Sequence, residues 1–330
     1  MNKTLKFSSF VFFVFFLSAE AYASDFIYGI GGHPNSFKGT SLKYSKIIEG
    51  LGFTSFRTDY YWSNLERSKG NYIVPRDKYQ QVIDNLASNG VKPLLILGYN
   101  NRLYFEGKPN SVEKYSEFAN YAAWVCRKYK YSKPVLQVWN EWSIDKHNQT
   151  AARSLKSAQN YVELVKAVSK KISNISDCTL IAGDFNPNIP DDLKWGENLL
   201  SLGILSYIDG LSIHAYSFKP LKIPSADENI KTIINLHEKI QLKYKKDIPI
   251  YITEVGLPTY NWTRYNPIDV ANYAKKYFSL ARENKFIKGV WWYDLIDDGD
   301  NKNNGEFNFG IMRHDGTDKG NLSVFKTLRH

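Results

Sequence analysis

The chain has 330 residues, 15% of them aromatic, and a formal net charge of +10. Its only cysteines, Cys126 and Cys178, either form one disulfide or remain two buried thiols, and a single pair cannot be the main support of a chain this long. After residue 23 no run approaches about 18 uncharged apolar residues, which excludes a later membrane-spanning helix.

The N-terminus has the pattern of a secretory signal peptide. Two lysines precede an apolar run at 10–17, and a small-x-small sequence ends at Ala23. An uncleaved N-terminal anchor is the alternative, although the apolar run is short for a membrane span. We therefore predict a signal peptide at 1–23 and one domain at 24–330, exported to the periplasm or secreted by a bacterium.

The positive charge has two interpretations. Excess cations attract acidic polymers and anionic surfaces. The lysines are spread along predicted helices rather than clustered, however, so a solvated face explains them as well. The 8 Trp and 23 Tyr residues provide flat apolar platforms with a polar edge, which suit sugar rings and also protein partners.

Strand-like apolar runs alternate with amphipathic helical runs along the chain. The predicted strands lie at 26–30, 53–58, 92–98, 134–139, 179–183, 208–214, 249–253 and 289–293. The predicted helices lie at 41–51, 76–88, 112–129, 151–173, 191–202, 227–244, 267–284 and 322–328. Strict alternation predicts an α/β fold with a parallel sheet, and eight repeats predict closure into a single (β/α)8 TIM barrel.

Polar and aromatic side chains follow almost every predicted strand. Since (β/α)8 barrels hold their chemistry at the C-terminal ends of the strands, these side chains converge on one face. Each also has a bland explanation, such as a helix cap for Asp184, a buried imidazole for His214 or a core position for Trp292. The set is Arg57, Asp59, Tyr99, Asn100, Asn140, Glu141, Asp184, Asn186, His214, Tyr216, Glu254, Trp292 and Asp294.

Two glutamates give this set a chemistry. Glu141 follows the fourth predicted strand, and Glu254 follows the seventh. Strands four and seven lie across a small barrel from each other, so both carboxylates can face one cleft. Paired carboxylates are what hydrolysis of a glycosidic bond requires. A separation of about 5 to 5.5 Å predicts retention of configuration, and about 6.5 to 9.5 Å predicts inversion.

The sequence resembles clan A glycoside hydrolases, in which Trp-Asn-Glu follows strand four and Ile-Thr-Glu ends strand seven. It is most similar to family 39 and its relatives, especially their exopolysaccharide-directed endoglycosidases. The segments that carry this resemblance are 56–72, 139–141, 213–216, 252–254, 291–294 and 309–316. They extend over nearly the whole chain after the predicted signal peptide.

The resemblance implies catalytic roles for the two glutamates. Glu141 would be the acid/base, and its pKa would rise in the sugar-bound state, with Trp139 and Trp142 supplying part of the desolvation. Glu254 would be the nucleophile and would stay ionised. Clan members retain the configuration of the sugar that they cleave.

The resemblance also implies a set of substrate-binding residues. Arg57 and Tyr216 would hold Glu254 charged, and Asn140 would bind the sugar 2-hydroxyl. Trp292 would form the floor of the site, and the peptide bond after it would be cis. The full predicted set is Arg57, Asn100, Asn140, Trp142, Asp184, His214, Tyr216 and Trp292.

The sequence predicts neither a cofactor nor a metal. After the first strand Gly31-Gly32 lead into His33 rather than into a helix, so the glycine-rich loop of dinucleotide-binding folds is missing. The acidic loop of Asp297, Asp298, Asp300 and Asn301 offers ligands for Ca²⁺. Its spacing differs from known calcium loops, and a solvated loop at the rim of the cleft is the preferred interpretation.

The prediction is a monomeric, retaining, endo-acting glycoside hydrolase. Its expected partner is a polysaccharide, such as a bacterial exopolysaccharide, with acidic groups. A transglycosylase coupled to polysaccharide synthesis would use the same glutamates with a sugar acceptor. A non-catalytic carbohydrate-binding barrel would use the same cleft, but it has no need of both carboxylates. The acidic rim argues against nucleic acid as the partner.

Overall fold

The computed structural model describes residues 26–329, so the predicted signal peptide lies outside the described residues. The strands are β1 (Ile27–Gly31), β2 (Ser55–Tyr61), β3 (Glu66–Ser68), β4 (Asn71–Tyr72), β5 (Lys92–Gly98), β6 (Val135–Val138), β7 (Thr179–Phe185), β8 (Gly210–His214), β9 (Ile250–Val255) and β10 (Ile287–Trp292). The helices are α1 (Ser41–Gly50), α2 (Trp62–Leu65), α3 (Lys78–Ser88), α4 (Val112–Tyr129), α5 (Gln149–Ala152), α6 (Leu155–Ile172), α7 (Pro190–Ser201), α8 (Ala226–Tyr244), α9 (Pro267–Arg282) and α10 (Leu322–Phe325).

Eight of the strands close into a barrel. Around the barrel the order is β1, β10, β9, β8, β7, β6, β5 and β2, and β1 pairs with both its neighbours in parallel. Ile27 lies opposite Gly289 and Ile30 opposite Trp292 where the first and last strands meet. The predicted (β/α)8 TIM barrel is therefore confirmed. Among the described residues, no helix has the length and apolarity that a bilayer crossing requires.

The predicted helix at 151–173 was wrong in one respect, because it is two helices. α5 ends at Ala152, and the side chain of Ser154 then accepts a hydrogen bond from the backbone N–H of Ser157 and starts α6. A serine at this position competes with the helix for backbone groups and favours a new N-terminus. The predictions for β5 and α4, by contrast, match the structure at both ends.

The short helix α2 and the hairpin of β3 and β4 follow β2 and were not predicted. They are held by Glu66, which is 1% exposed. Its carboxylate accepts hydrogen bonds from the Trp62 indole at 2.6 Å and the Gly70 backbone at 2.6 Å, and from the Tyr104 hydroxyl. A single buried carboxylate thus fixes the loop after β2. No local sequence pattern predicts this arrangement.

The barrel interior and the layer between strands and helices form separate cores. Trp291 fills the interior, where its indole donates a hydrogen bond to Ser55 at 3.0 Å. The neighbouring strand carries Gly29 at this level, because a Cβ there would lie 2.2 Å from the Trp291 ring. The interior cluster comprises Leu94, Ile96, Val135, Ile181, Tyr251 and Trp291.

The two cysteines form a disulfide in the structure. The sequence had left open whether they pair or remain two thiols. Cys126 lies on α4 and Cys178 precedes β7, with Cα atoms 5.9 Å apart. That separation is within the ordinary range for a bridge. The disulfide joins the outer helix layer to the barrel around the β6–α6 unit.

Candidate active site

A cleft of about 420 Å³ opens at the C-terminal ends of the barrel strands. Five residues of the predicted site line it, namely Arg57, Asn140, Glu141, Tyr216 and Glu254. Arg57 lies within β2, and the others lie at or just after the ends of β6, β8 and β9. The barrel brings these strands together although they are far apart in sequence.

The two glutamates face each other across this cleft. One carboxylate oxygen of Glu141, one of Glu254 and a ring nitrogen of His214 all lie within 4.8 Å of one another. The Glu141 side chain is 31% exposed, whereas that of Glu254 is 10% exposed. Glu141 is thus the accessible member of the pair, and Glu254 is the enclosed one.

Glu254 is held as a carboxylate by its neighbours. Arg57 Nη1 lies 2.7 Å from Oε1, and the Tyr216 hydroxyl donates a hydrogen bond to Oε2 at 2.8 Å. Burial acts to raise the pKa of Glu254, but Arg57, His214 and Tyr216 outweigh it and hold that pKa below its usual range. This environment keeps Glu254 ionised at neutral pH.

The donor set of Glu141, His214 and Glu254 resembles a metal site in spacing, but it does not fit a metal in charge. The Arg57 guanidinium cannot lose its proton, and it already pairs with Glu254 at 2.7 Å. A divalent cation beside it would face an adjacent buried positive charge. Chemistry at this site therefore falls to the protein's own carboxylates.

His214 links the two glutamates from below. Its Nδ1 lies 3.0 Å from Glu141 Oε1 and 3.6 Å from Glu254 Oε2, and its side chain is 1% exposed. Arg57 Nη2 lies 3.4 Å from His214 Nε2. Because a guanidinium only donates, Nε2 accepts and the Nδ1 proton points at Glu141. Burial lowers the pKa of His214, but the two carboxylates outweigh it and raise that pKa overall.

The turn after β6 aims Asn140 and Glu141 into the cleft. Trp139 and Glu141 have φ values of 66° and 45°, in the left-handed region that side chains other than glycine rarely adopt. Arg57 Nη2 donates to Asn140 Oδ1 at 2.8 Å. The acceptor of this amide is thereby occupied, and its NH₂ group remains as a donor for a ligand. Such strained residues recur at functional sites.

Three predicted substrate-binding residues lie beneath or beside the cleft instead of lining it. His214 contacts the glutamates from a buried position. Asp184 is 2% exposed, accepts a hydrogen bond from Ser212, and has its pKa raised to about 6 by burial. Asn100 donates to the backbone carbonyl of Phe105 at 3.3 Å and orders the loop after β5. In the structure these side chains position their neighbours, and their contact with a substrate stays a prediction.

Trp292 and Trp142 are also misplaced in the prediction. Trp292 is fully buried and packs against Tyr273 and Phe325 in the helix layer, because Trp291 takes the inward position on β10. Trp142 is 1% exposed, and its indole donates to Ser157 at 2.9 Å. Neither tryptophan lines the cleft, so neither forms the floor of the site.

Tyr293 takes the place that the prediction gave to Trp292. It follows β10, lines the cleft and stacks edge-on against Phe309. The cis peptide bond is correspondingly Tyr293–Asp294 rather than Trp292–Tyr293, and a second one joins Gly98 and Tyr99. The aromatic residue that lines the cleft is thus one position later than predicted, although β10 itself ends at Trp292, one residue before the predicted end.

Sequence reasoning also missed His33, Phe218 and Glu306, all of which line the cleft. His33 comes two residues after the end of β1, so the rule that selected the other strand ends would have included it. Asp298, at 3.0 Å, and Asp294 raise the pKa of His33 to about 9, although burial acts to lower it. Phe218 lies in the loop after β8, and Glu306 lies in a 3-10 helix at Gly305–Asn308, so no strand end marks either residue.

The acidic loop after β10 is buried at Asp297 and exposed at Asp300 and Asn301. Asp297 is fully buried, and Lys319 and Lys302 lie 2.6 Å and 3.1 Å from its two oxygens. Paired charges of this kind need both partners. An ion-pair network therefore ties down Asp297, and Asp298 contacts His33. The prediction of a solvated loop fails for Asp297 and fits Asp300 and Asn301.

Comparison with known proteins agrees with this geometry. The matching family model is Cellulase (glycosyl hydrolase family 5), over residues 23–295. No curated protein matches the chain. A similar solved structure is a family 39 glycoside hydrolase from the gut symbiont Bacteroides cellulosilyticus WH2, with 25% identity and a TM-score of 0.72. The match covers 91% of this chain and only 62% of that longer chain.

Two further solved structures share the fold at lower identity. The GH53 catalytic domain of Ignisphaera aggregans has 13% identity and a TM-score of 0.64, and the match covers 94% of this chain and 98% of that one. A β-glucosidase from Thermotoga maritima has 15% identity and a TM-score of 0.66, with 93% and 98% covered. The clan-level resemblance stated from the sequence is confirmed.

Proposed function

This chain belongs to the cellulase family, glycosyl hydrolase family 5, and is an O-glycoside hydrolase; on that premise we propose that it cleaves a polysaccharide internally and with retention of configuration. Glu141 is the acid/base and Glu254 the nucleophile in this proposal. The substrate is an exopolysaccharide outside the bacterial cytoplasm, which the predicted signal peptide fits. One barrel supplies both carboxylates, so the site needs no second copy, and in this proposal the protein acts as a monomer.

The separation of the two glutamates carries the proposal of retention. Their closest carboxylate oxygens lie within 4.8 Å of each other. Retaining enzymes place the two carboxyl groups about 5 to 5.5 Å apart, whereas inverting enzymes leave about 6.5 to 9.5 Å for a water. The gap here corresponds to the shorter, retaining spacing.

The unequal environments of the two glutamates support their separate roles. Glu254, paired with Arg57 and Tyr216, attacks the anomeric carbon as the glycosidic bond breaks, while Glu141 gives its proton to the departing oxygen. In the second step Glu141 takes a proton from water, whose oxygen attacks the same carbon and displaces Glu254. The His214 Nδ1 proton, 3.0 Å from Glu141, stabilises the anionic form of Glu141 between these steps.

Internal cleavage of a polymer is supported by the shape of the site. The cleft continues past Tyr216 and Phe218 into a second, larger cavity. A long open path accepts sugar units on both sides of the broken bond. Aromatic rings at Tyr293, Phe218 and Phe309 provide apolar faces for them.

A screen of bacterial exopolysaccharides and plant glycans, with products read by mass, tests the proposal. We expect oligosaccharides of one repeat length, and NMR spectra of the first product that show the configuration of the substrate. Glu254→Gln should abolish turnover while the fold and sugar binding survive. Glu163→Gln, on the exposed face of α6, is the matched control and should retain activity.

Two results would contradict the proposal. Hydrolysis by Glu254→Gln at the rate of the unaltered enzyme would exclude Glu254 as the nucleophile. An inverted first product would exclude double displacement. Transfer of the released sugar to an added acceptor, rather than to water, would instead favour a transglycosylase that uses the same pair.

A further inference from the structure

A second cavity adjoins the catalytic cleft. Its volume is about 670 Å³, and it shares Tyr216 and Phe218 with the cleft. Its lining mixes amides, hydroxyls and apolar side chains, including Asn188 and Ile189 from the loop after β7. This mixture suits a sugar ring, which has polar edges and apolar faces. We call it the lysine pocket, after Lys219 and Lys222 in its lining.

The order of strands places the lysine pocket on one side of the catalytic pair. Glu141 follows β6 and Glu254 lies on β9, and β7 and β8 are the strands between them on one side of the barrel. The residues of the lysine pocket come from the loops after β7 and β8 and from the start of α8. The other side of the barrel contributes β10, β1, β2 and β5. The catalytic pair therefore divides the rim into two halves.

The half opposite the lysine pocket carries net negative charge at the cleft wall. Asp59 lines the cleft and accepts hydrogen bonds from the hydroxyls of Tyr99 at 3.0 Å and Tyr61 at 3.1 Å. Asp298 stands beside His33, which it contacts at 3.0 Å. The single imidazolium of His33 is thereby neutralised, and Asp59 remains. An anionic sugar on this half would meet like charge.

The lysine pocket carries the opposite charge. Lys219 and Lys222 are exposed, and neither has a carboxylate within ion-pair distance in the described part of the chain. Lys302 and Lys319, by contrast, are engaged, since both pair with Asp297. Glu228 is the one acidic residue in the lining. Two unpaired ammonium groups against one carboxylate favour an anionic occupant.

We infer that the lysine pocket binds a carboxylate-bearing sugar unit, so that the enzyme cuts an acidic heteropolysaccharide at a fixed position beside that unit. The inference rests on the proposed function and names the substrate class. Because the acidic unit is attracted on one side of the glutamates and repelled on the other, only one linkage per repeat lies between them. All products then carry the acidic sugar at the same end.

Equilibrium binding to the Glu254→Gln variant tests the inference. The probes are a tetrasaccharide that alternates glucuronic acid with a neutral sugar, and the same compound after reduction of its carboxyl groups to alcohols. We expect tighter binding of the acidic form. The double substitution Lys219→Ala/Lys222→Ala should weaken binding of the acidic form roughly tenfold, since each exposed ion pair contributes a few-fold. The affinity for the reduced form should stay unchanged.

Matched lysines provide the control. Lys246→Ala with Lys285→Ala changes the same net charge in exposed loops that lead into β9 and β10, on the opposite face of the barrel. This control should retain the preference for the acidic form. Raising the salt concentration should reduce the preference in the parent and in the control, because the pairing is exposed.

The outcomes separate the inference from the proposed function. Equal affinity for both probes, including no binding of either, or a preference that survives in Lys219→Ala/Lys222→Ala, would overturn the inference. Hydrolysis of small aryl glycosides needs only the two glutamates and is measured in parallel on the parent enzyme. If the aryl glycosides are hydrolysed but the lysine substitutions do not change binding, only the role of the lysine pocket is rejected. If the aryl glycosides are not hydrolysed and the polysaccharide screen gives no products, the hydrolase mechanism is rejected.

Discussion

Replacement of Tyr216 by Phe should move the acid limb of the pH profile to higher pH. The Tyr216 hydroxyl donates to Glu254 Oε2 at 2.8 Å, and its phenol helps to hold the pKa of Glu254 below its usual range. Loss of this donor favours the protonated form of Glu254. Since the nucleophile acts as a carboxylate, activity is then lost at a higher pH than in the parent.

The size of the shift follows from the hydrogen bond. A buried hydrogen bond to a charged group contributes about 1.5–3 kcal/mol. One pKa unit corresponds to about 1.4 kcal/mol, so the pKa of Glu254 should rise by about 1 to 2 units. Arg57, 2.7 Å from Oε1, remains in the variant and keeps Glu254 ionised at neutral pH. The substitution should therefore shift the acid limb of the pH profile and leave activity at neutral pH dependent on an ionised Glu254.

The assay is the pH dependence of kcat/KM, which reports groups of the free enzyme, with a small aryl glycoside as substrate. Tyr115→Phe is the control, because it removes a hydroxyl that donates to Asn160 at 3.3 Å between α4 and α6, away from the cleft. An acid limb at the same pH in Tyr216→Phe and in the parent would refute the argument. So would an equal shift in Tyr115→Phe.

Three further predictions concern stability. Cys126→Ser removes a bridge across 52 residues and should lower the free energy of unfolding by about 4 kcal/mol at most, measured by urea titration; an unchanged midpoint would contradict it. Lys319→Met leaves buried Asp297 with only Lys302 and should lower the free energy of unfolding by about 3–5 kcal/mol. Thermal unfolding measures this loss, and an unchanged melting temperature would contradict the prediction. Asp184 has a pKa of about 6 instead of 3.8, so the folded state holds its proton longer and stability falls as pH rises between these values. Asp184→Asn should remove up to about 3 kcal/mol of this dependence, and parallel stability–pH curves would argue against it.

The parts of the fold that could be predicted are those with local signals. After Lys92 the run at 92–98 is apolar, as a strand buried on both faces requires, and it matches β5. The helix at 112–129 begins after Ser111, whose side chain caps Lys114, and its helical period continues to Tyr129. In both cases the cause of the element lies within the element.

Errors arose where orientation or long-range contacts decide. Val290 to Tyr293 is apolar at every position, so no alternation shows which residue faces inward, and Trp292 was chosen although Tyr293 lines the cleft. The partner of Asp297 is Lys319, 22 residues away, and no spacing rule connects them. The glutamates were found because each follows a predicted strand. Phe218, in the loop after β8, and Glu306, in a 3-10 helix at Gly305–Asn308, have no such marker.

The disulfide gives the two catalytic glutamates different covalent settings. The ring closed by Cys126 and Cys178 contains β6 and α6, and hence Glu141, whereas Glu254 lies on the open chain beyond it. A single protease cut inside the ring, such as in the exposed segment 146–148, leaves both pieces joined through sulfur. The nicked protein therefore keeps its acid/base on the same molecule as its nucleophile, while a cut outside the ring separates the fragments as soon as the barrel opens.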